Sequence, residues 1–179
     1  MTSPSRPSVN ERAACIKLLL MDCDGVLTDG RIWILQDGED QKAFNTRDGL
    51  GLDIWHHAGL KSGIISGRHS SAVERRARAL GMSFIHLGVS HKVNAFEESL
   101  SDAGVAADQV AYIGDDLNDV PLMSRSGLAV AVGDGSDDVV ARAHYVTQAK
   151  GGAGAVREVI ELILKAQDRW SGLIAEYLQ

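Results

Sequence analysis

The segment Ile16-Lys17-Leu18-Leu19-Leu20-Met21-Asp22-Cys23-Asp24-Gly25-Val26-Leu27-Thr28-Asp29-Gly30 decides how the rest of the chain is read. A short apolar run ends abruptly on two carboxylates and a glycine. Runs this apolar and this short suit strands covered on both faces, as in a parallel sheet. Four more occupy residues 61–65, 83–87, 110–113 and 128–132. Between them lie amphipathic stretches, with Val93, Phe96 and Leu100 at helical spacing, and Val156, Val159, Ile160, Ile163 and Leu164 likewise. Gly81, Gly104 and Gly127 stand where helix C-terminal caps are expected. Strand and helix alternating in this way predict a doubly wound α/β fold whose ligands bind outside the carboxyl ends of the strands.

Working outward, residues 1–11 carry three serines and two prolines among few apolar side chains, and read as a loose tail. Residues 12–179 then form one domain, because a chain of 179 residues supports one sizeable core. The rhythm breaks at Arg31-Ile32-Trp33-Ile34-Leu35, followed by Gln36-Asp37-Gly38-Glu39-Asp40 and Gln41-Lys42-Ala43-Phe44-Asn45. This pattern predicts a β-hairpin with a five-residue connection, a flap over about 31–45 projecting from the loop after the first strand. The expected architecture is a Rossmann-like parallel sheet bearing that flap.

A formal net charge of −6 argues against nucleic acid as a partner, since phosphate backbones are bound by concentrated Lys and Arg. No run approaches the roughly 20 apolar residues that cross a bilayer. Cys15 and Cys23 provide neither a disulfide framework nor a zinc site. The expectation is a reduced, cytoplasmic protein.

Two Asp after an apolar run could be a turn or a helix cap. A calcium loop fails on position, because Leu27 stands where glycine is needed and Trp33 where glutamate is needed. A second acidic group changes the reading. Val110-Ala111-Tyr112-Ile113 runs into Gly114-Asp115-Asp116-Leu117-Asn118-Asp119, again at a predicted strand end. In one parallel sheet both carboxylate groups converge on the same edge. Each like-charge pair about 4 Å apart would cost about 4 kcal/mol at an effective dielectric near 20, which calls for a cation. Oxygen ligands without His or Cys favour magnesium. Ser66 and Lys92, at two further strand ends, could be a helix cap and a solvated surface charge. Together they supply the hydroxyl and fixed cation that a transferring phosphoryl group needs.

Asp22-x-Asp24-Gly25-Val26, Ser66, Lys92 and Gly114-Asp115-Asp116-x-x-Asp119 resemble, in order and spacing, the four motifs of the haloacid dehalogenase superfamily. That resemblance implies the haloacid dehalogenase fold and an aspartyl-phosphate formed on Asp22. Asp24 then acts as acid and base, while Ser66 and Lys92 hold the phosphoryl oxygens. Magnesium is implied at Asp22, the Asp24 main-chain carbonyl and Asp115, supported by Asp116 and Asp119. A carboxylate nucleophile divides a slow hydrolysis into two steps, and a neighbouring carboxyl serves each in turn.

A closer resemblance covers nearly the whole chain after the tail. Leu27-Thr28-Asp29-Gly30, Lys42-Ala43-Phe44-Asn45-Thr46-Arg47-Asp48-Gly49, Ile65-Ser66-Gly67-Arg68 and Gly151-Gly152-Ala153-Gly154-Ala155-Val156-Arg157-Glu158 resemble the 3-deoxy-D-manno-octulosonate 8-phosphate phosphatase subfamily, which has no large cap. It implies a phosphoric monoester hydrolase of lipopolysaccharide precursor synthesis. Substrate contacts are implied at Asn45, Thr46, Arg47, Asp48, Gly49, Arg68, Arg76 and Lys92, besides Asp24. Arg47, Arg68 and Arg76 could pair with phosphate or a sugar-acid carboxylate through bidentate hydrogen bonds. Asp53 departs from the pattern, standing near a basic residue of some members.

The subfamily also implies a homotetramer in which the glycine segment at 151–157 reaches a neighbouring active site. The hairpin supplies a reason to assemble, because consecutive Ile32, Trp33, Ile34 and Leu35 put apolar side chains on both faces of one strand. A nucleotide loop at the glycine cluster lacks the preceding strand. Competing readings are a nonulosonate 9-phosphate phosphatase, a phosphatase-like assembly domain, and a signalling receiver domain. Asp24 argues against the receiver, since it puts an acid/base where the phosphoenzyme would be hydrolysed.

Overall fold

The computed structural model describes residues 7–178. Helix α1 (Val9–Ala14) leads into strand β1 (Leu18–Met21), then a small hairpin of β2 (Trp33–Ile34) and β3 (Asp40–Gln41). There follow α2 (Thr46–His57), β4 (Lys61–Ser66), α3 (Ser71–Ala79), β5 (Phe84–Leu87) and α4 (Lys92–Ala103). The second half runs β6 (Val110–Gly114), α5 (Val120–Met123), β7 (Leu128–Ala131), α6 (Asp137–Val140), β8 (Tyr145–Val146), α7 (Ala155–Ala166) and α8 (Trp170–Ile174).

Six strands form one parallel sheet in the order β5-β4-β1-β6-β7-β8. From β1 the chain builds outward through β4 and β5, then returns to the other side of β1 with β6. Connections diverge at that reversal and leave a crevice at the carboxyl ends of β1 and β6. Met21 pairs with Ile113, so the two strands leave the sheet at the same level.

The core explains why β1 shows no alternation. Leu19 and Met21 pack with Trp55 of α2 and with Val159 and Ile163 of α7. Leu18 and Leu20 pack on the opposite face with Phe96 of α4 and Leu122 of α5. Both faces of a central parallel strand are covered, so every side chain of β1 is buried. The five expected strands all form. The short edge strand β8 was not anticipated, because two residues make too brief an apolar run to register.

Several expectations need correction. Residues 1–6 of the expected tail lie outside the described residues. The remainder is ordered differently, because Ser8 caps α1 in a reciprocal capping box with Glu11. Among the three cap glycines, Gly104 takes the left-handed conformation at φ 68°, and Gly81 follows its helix end at φ 72°. Gly127 does neither. A Cβ there would fall 1.9 Å from the Asp108 carbonyl oxygen, so the residue serves a close backbone approach. The hairpin forms with its five-residue connection at residues 35–39, one residue earlier than expected, and Trp33 opposes Gln41. Beside these corrections, residues 151–154 form a turn packed on the loop after β1. Gly151 is buried, and a Cβ on it would lie 1.7 Å from the Gly25 carbonyl.

Replacing Gly127 with Ala is expected to destabilise the fold by about 2 kcal/mol, an overpacking penalty read as a lower urea midpoint at unchanged slope. An unchanged midpoint would show that the Asp108 turn yields freely.

Candidate active site

β1 ends on Asp22-Cys23-Asp24, and the chain turns back at once. The Cys23 carbonyl accepts from the amides of Val26, Leu27 and Thr28 at 3.2, 3.0 and 3.1 Å. Gly25, at φ 90°, makes that turn possible. It also clears space, since a Cβ there would lie 2.0 Å from Asp115 Oδ2. At the end of β6, a Cβ on Gly114 would lie 2.5 Å from Asp119 Cβ. Two glycines therefore let Asp115 and Asp119 close on Asp22. A carboxylate oxygen from each of the three lies within 4.8 Å of the others.

These acids are not equivalent. Asp119 is fully buried and saturated with donors. Its Oδ1 accepts from Lys92 Nζ at 2.8 Å and from the Tyr112 hydroxyl at 2.9 Å, and its Oδ2 accepts from the Asp115 amide at 3.0 Å. Lys92 also pairs with Asp22 Oδ1 at 3.0 Å, the one cation beside this buried oxygen among the described residues. Burial raises the Asp22 carboxyl to about 6, with repulsion from Asp119 adding to it and Lys92 opposing it. Burial and the fields of Asp119 and Asp22 push Asp115 to about 8. For Lys92 burial acts downward, but its two carboxylate partners outweigh it and raise the pKa. The clustering of Asp22, Asp115 and Asp119, the raised carboxyl values at Asp22 and Asp115, and the oxygen-only donor set fit a hard divalent cation.

Asp22, Asp24, Ser66, Arg68, Asp115 and Asp116 line one cleft of about 370 Å³. Ser66 closes β4, and its hydroxyl accepts from the Arg68 amide at 3.3 Å. Asp116 caps the following turn through the Leu117 amide at 2.8 Å. A larger hollow of about 620 Å³ adjoins this cleft, sharing Gly67 and Asn118, and is bordered by Lys92. The carboxylates are absent from its wall, so the smaller cleft is the one that carries chemistry.

The architecture and the relatives of this chain agree. A haloacid dehalogenase-like hydrolase model matches residues 79–160. The chain is 47% identical over 169 residues to 3-deoxy-D-manno-octulosonate 8-phosphate phosphatase of Yersinia pestis, covering 94% of this chain and 90% of that protein. It belongs to that phosphatase family. The Moraxella catarrhalis enzyme, solved in complex with magnesium ion, phosphate ion and a KDO molecule, superposes with a TM-score of 0.91 at 41% identity, over 94% of this chain and 97% of that one. A cobalt-bound Haemophilus influenzae enzyme gives a TM-score of 0.88 at 37% identity, over 94% and 99%.

The remaining residues that the 3-deoxy-D-manno-octulosonate 8-phosphate phosphatase resemblance singled out are dispersed. Asn45 caps α2 through the Arg47 amide at 2.8 Å and donates to the Gly152 carbonyl at 3.2 Å. Arg47 is exposed. Thr46, Gly49 and Arg76 line a separate crevice with Asp53. Gly49 lets α2 approach Arg76, since a Cβ would lie 2.6 Å from Arg76 Nη2. Asp48 turns inward: it is buried, and its Oδ1 accepts from the Arg157 amide at 2.9 Å at the start of α7. An expected substrate contact is thus a helix-capping side chain in this chain.

Sequence reasoning missed two residues. Tyr112 reads as one more apolar member of β6, and nothing in a strand run announces its hydroxyl contact with Asp119. Lys42 opens the subfamily-like segment at 42–49 but receives no role there, yet its side chain is fully enclosed and its ammonium pairs with Asp24 and, at 3.5 Å, with Asp40. Only the fold shows that Lys42 reaches Asp24.

Raised carboxyl values mean that the folded protein keeps protons which the unfolded chain releases. The associated stability is complete below the ordinary value of 3.8 and is lost as pH rises through about 6 and about 8. Metal-free protein is expected to melt at lower temperature at about pH 8 than at about pH 5, and added magnesium to raise the midpoint more at the higher pH. Calorimetry checks this, and a metal-induced shift independent of pH would contradict the crowding.

Proposed function

We propose that this chain is a magnesium-dependent phosphomonoesterase that converts 3-deoxy-D-manno-octulosonate 8-phosphate into the free sugar acid and phosphate through an aspartyl-phosphate. The observation that carries the reading is the convergence of Asp22, Asp24, Ser66, Arg68 and Asp115 on one cleft at the switch point of the sheet. The 47% identity to the Yersinia pestis enzyme supplies the substrate.

Asp22, held beside Lys92 at 3.0 Å, attacks phosphorus. Asp24 protonates the departing sugar oxygen and afterwards takes a proton from the water that hydrolyses the phosphoenzyme. Ser66 donates to one phosphoryl oxygen, and Lys92 neutralises another while holding Asp22 in line. Magnesium held by Asp22, Asp115 and the Asp24 carbonyl would offset the summed charge of carboxylates and phosphate. Asp119 keeps Lys92 and the Asp115 loop in place. Asp116 borders the cleft. Arg68, on the cleft rim, takes the sugar-acid carboxylate.

Asn45, Arg47 and the Arg76 crevice share no lining with that cleft, so we assign their role to a neighbouring subunit of a homo-oligomer, built as a tetramer on the hairpin. The supporting observation is apolar exposure: Trp33 is 64% and Ile34 74% exposed on a ribbon only two residues wide in pairing. No helix among the described residues is long and apolar enough to cross a membrane.

A phosphate-release screen over phosphorylated sugar acids with magnesium tests the reaction. The eight-carbon ester should give the highest kcat/KM, activity should vanish in chelator, and Asp22→Asn should lose at least about 10³-fold while remaining folded. Preference for a nine-carbon acid or a plain hexose phosphate would overturn the substrate, and near-normal turnover by Asp22→Asn would overturn the mechanism. Light scattering after size exclusion should show a tetramer that dissociates when Trp33 and Ile34 become Ser. A fully active monomer would refute the assembly.

A further inference from the structure

Lys42 follows β3, on a hairpin whose tip is exposed, yet its side chain is wholly enclosed. The ammonium donates to Asp24 Oδ1 and lies 3.5 Å from Asp40 Oδ2. Asp40 in turn accepts from the Ser70 hydroxyl at 2.7 Å, and Ser70 is the N-cap of α3. One residue along, the Ser71 hydroxyl donates to Glu39 at 2.7 Å. The hairpin is thus tied by polar contacts to α3 on one side and to the catalytic loop on the other. Removing a charge from an enclosed ion pair is expensive, so the geometry of this link is firmly set.

The two oxygens of Asp24 are used differently. Oδ1 is occupied by Lys42, whereas among the described residues Oδ2 has only Arg68 Nε, 3.8 Å away on the cleft rim. Asp40 draws on the same ammonium, so Lys42 anchors Asp24 without confronting it with a whole unshared charge.

We propose that Lys42 is a positioning residue for Asp24, delivered by the hairpin, which fixes Oδ1 so that Oδ2 faces the oxygen leaving the substrate. The inference rests on the reading of Asp24 as acid and base given above. In the step concerned, Asp22 bonds to phosphorus as the bond from phosphorus to the sugar oxygen breaks. The proton on Asp24 Oδ2 passes to that oxygen, giving the alcohol. An acid held off line forfeits part of the roughly 10²- to 10⁴-fold that a well-placed one contributes.

The test compares kcat/KM for the sugar-acid phosphate and for p-nitrophenyl phosphate, a parameter that reports events up to departure of the leaving group. Nitrophenolate leaves as a stable anion and needs little protonation. Lys42→Met is expected to lose about 30-fold on the sugar-acid phosphate but about threefold or less on the aryl ester, and Asp24→Asn to show the same selectivity with a larger loss. A non-selective Asp24→Asn would overturn the acid/base reading and this inference with it. A selective Asp24→Asn beside an equal loss, or no loss, on both esters for Lys42→Met would overturn the positioning role alone, as a merely structural lysine changes stability and not the ratio. If Lys42→Met does not fold, Asp40→Asn decides by the same ratio: a selective loss of about threefold or more supports the role, and an unchanged ratio overturns it.

Discussion

Three carboxylates and one ammonium share the carboxyl edge of β1 and β6, and the local structure is arranged around keeping them there. Like charges at this separation repel by about 4 kcal/mol per pair at an effective dielectric near 20, so the group is stable only with compensation built in. Asp119 receives Lys92, the Tyr112 hydroxyl and the Asp115 amide. Asp22 is paired with Lys92 at 3.0 Å. Glycine at positions 25 and 114 removes the side chains that would hold the groups apart. The surrounding core then fixes the frame, because β1 is buried on both faces and cannot shift without disturbing both apolar layers.

The same crowding explains the division of labour. Asp119 is saturated and inward, which suits a residue that positions others. Asp22 and Asp115 retain capacity to bind a cation, and Asp22 retains an oxygen for phosphorus. Asp24 lies just beyond this group, anchored from a different element. In the proposed reaction, a fold without a large cap would draw its acid from the loop after β1 and that acid's orientation from the hairpin. The tip of the same hairpin leaves Trp33 and Ile34 exposed.

Much of this was legible in the chain. Apolar runs marked all five long strands, since a strand covered on both faces has no polar alternation to disguise it. The carboxylates at two strand ends located the cleft, because parallel strands deliver their ends to one edge. Other features escaped for physical reasons. Gly127 looks like a helix cap by position, but its need is set by the carbonyl of Asp108, far from any local signal. Asp48 is implied as a substrate contact by resemblance, whereas α7 returns more than a hundred positions later to be capped by it. Lys42 stands in a recognised segment but becomes a partner of Asp24 only when the hairpin folds back. Long-range partners of this kind are decided by topology, which residue patterns constrain only loosely.

The central claim is that phosphorus bonds transiently to Asp22, and it can be read chemically. The Asp24→Asn protein, mixed with magnesium and substrate, quenched in acid and reduced with borohydride, should yield a peptide in which Asp22 has become homoserine, the product of a reduced acyl phosphate. Absence of that conversion while phosphate is still being released, or its appearance at Asp115 or another carboxylate, would contradict the account.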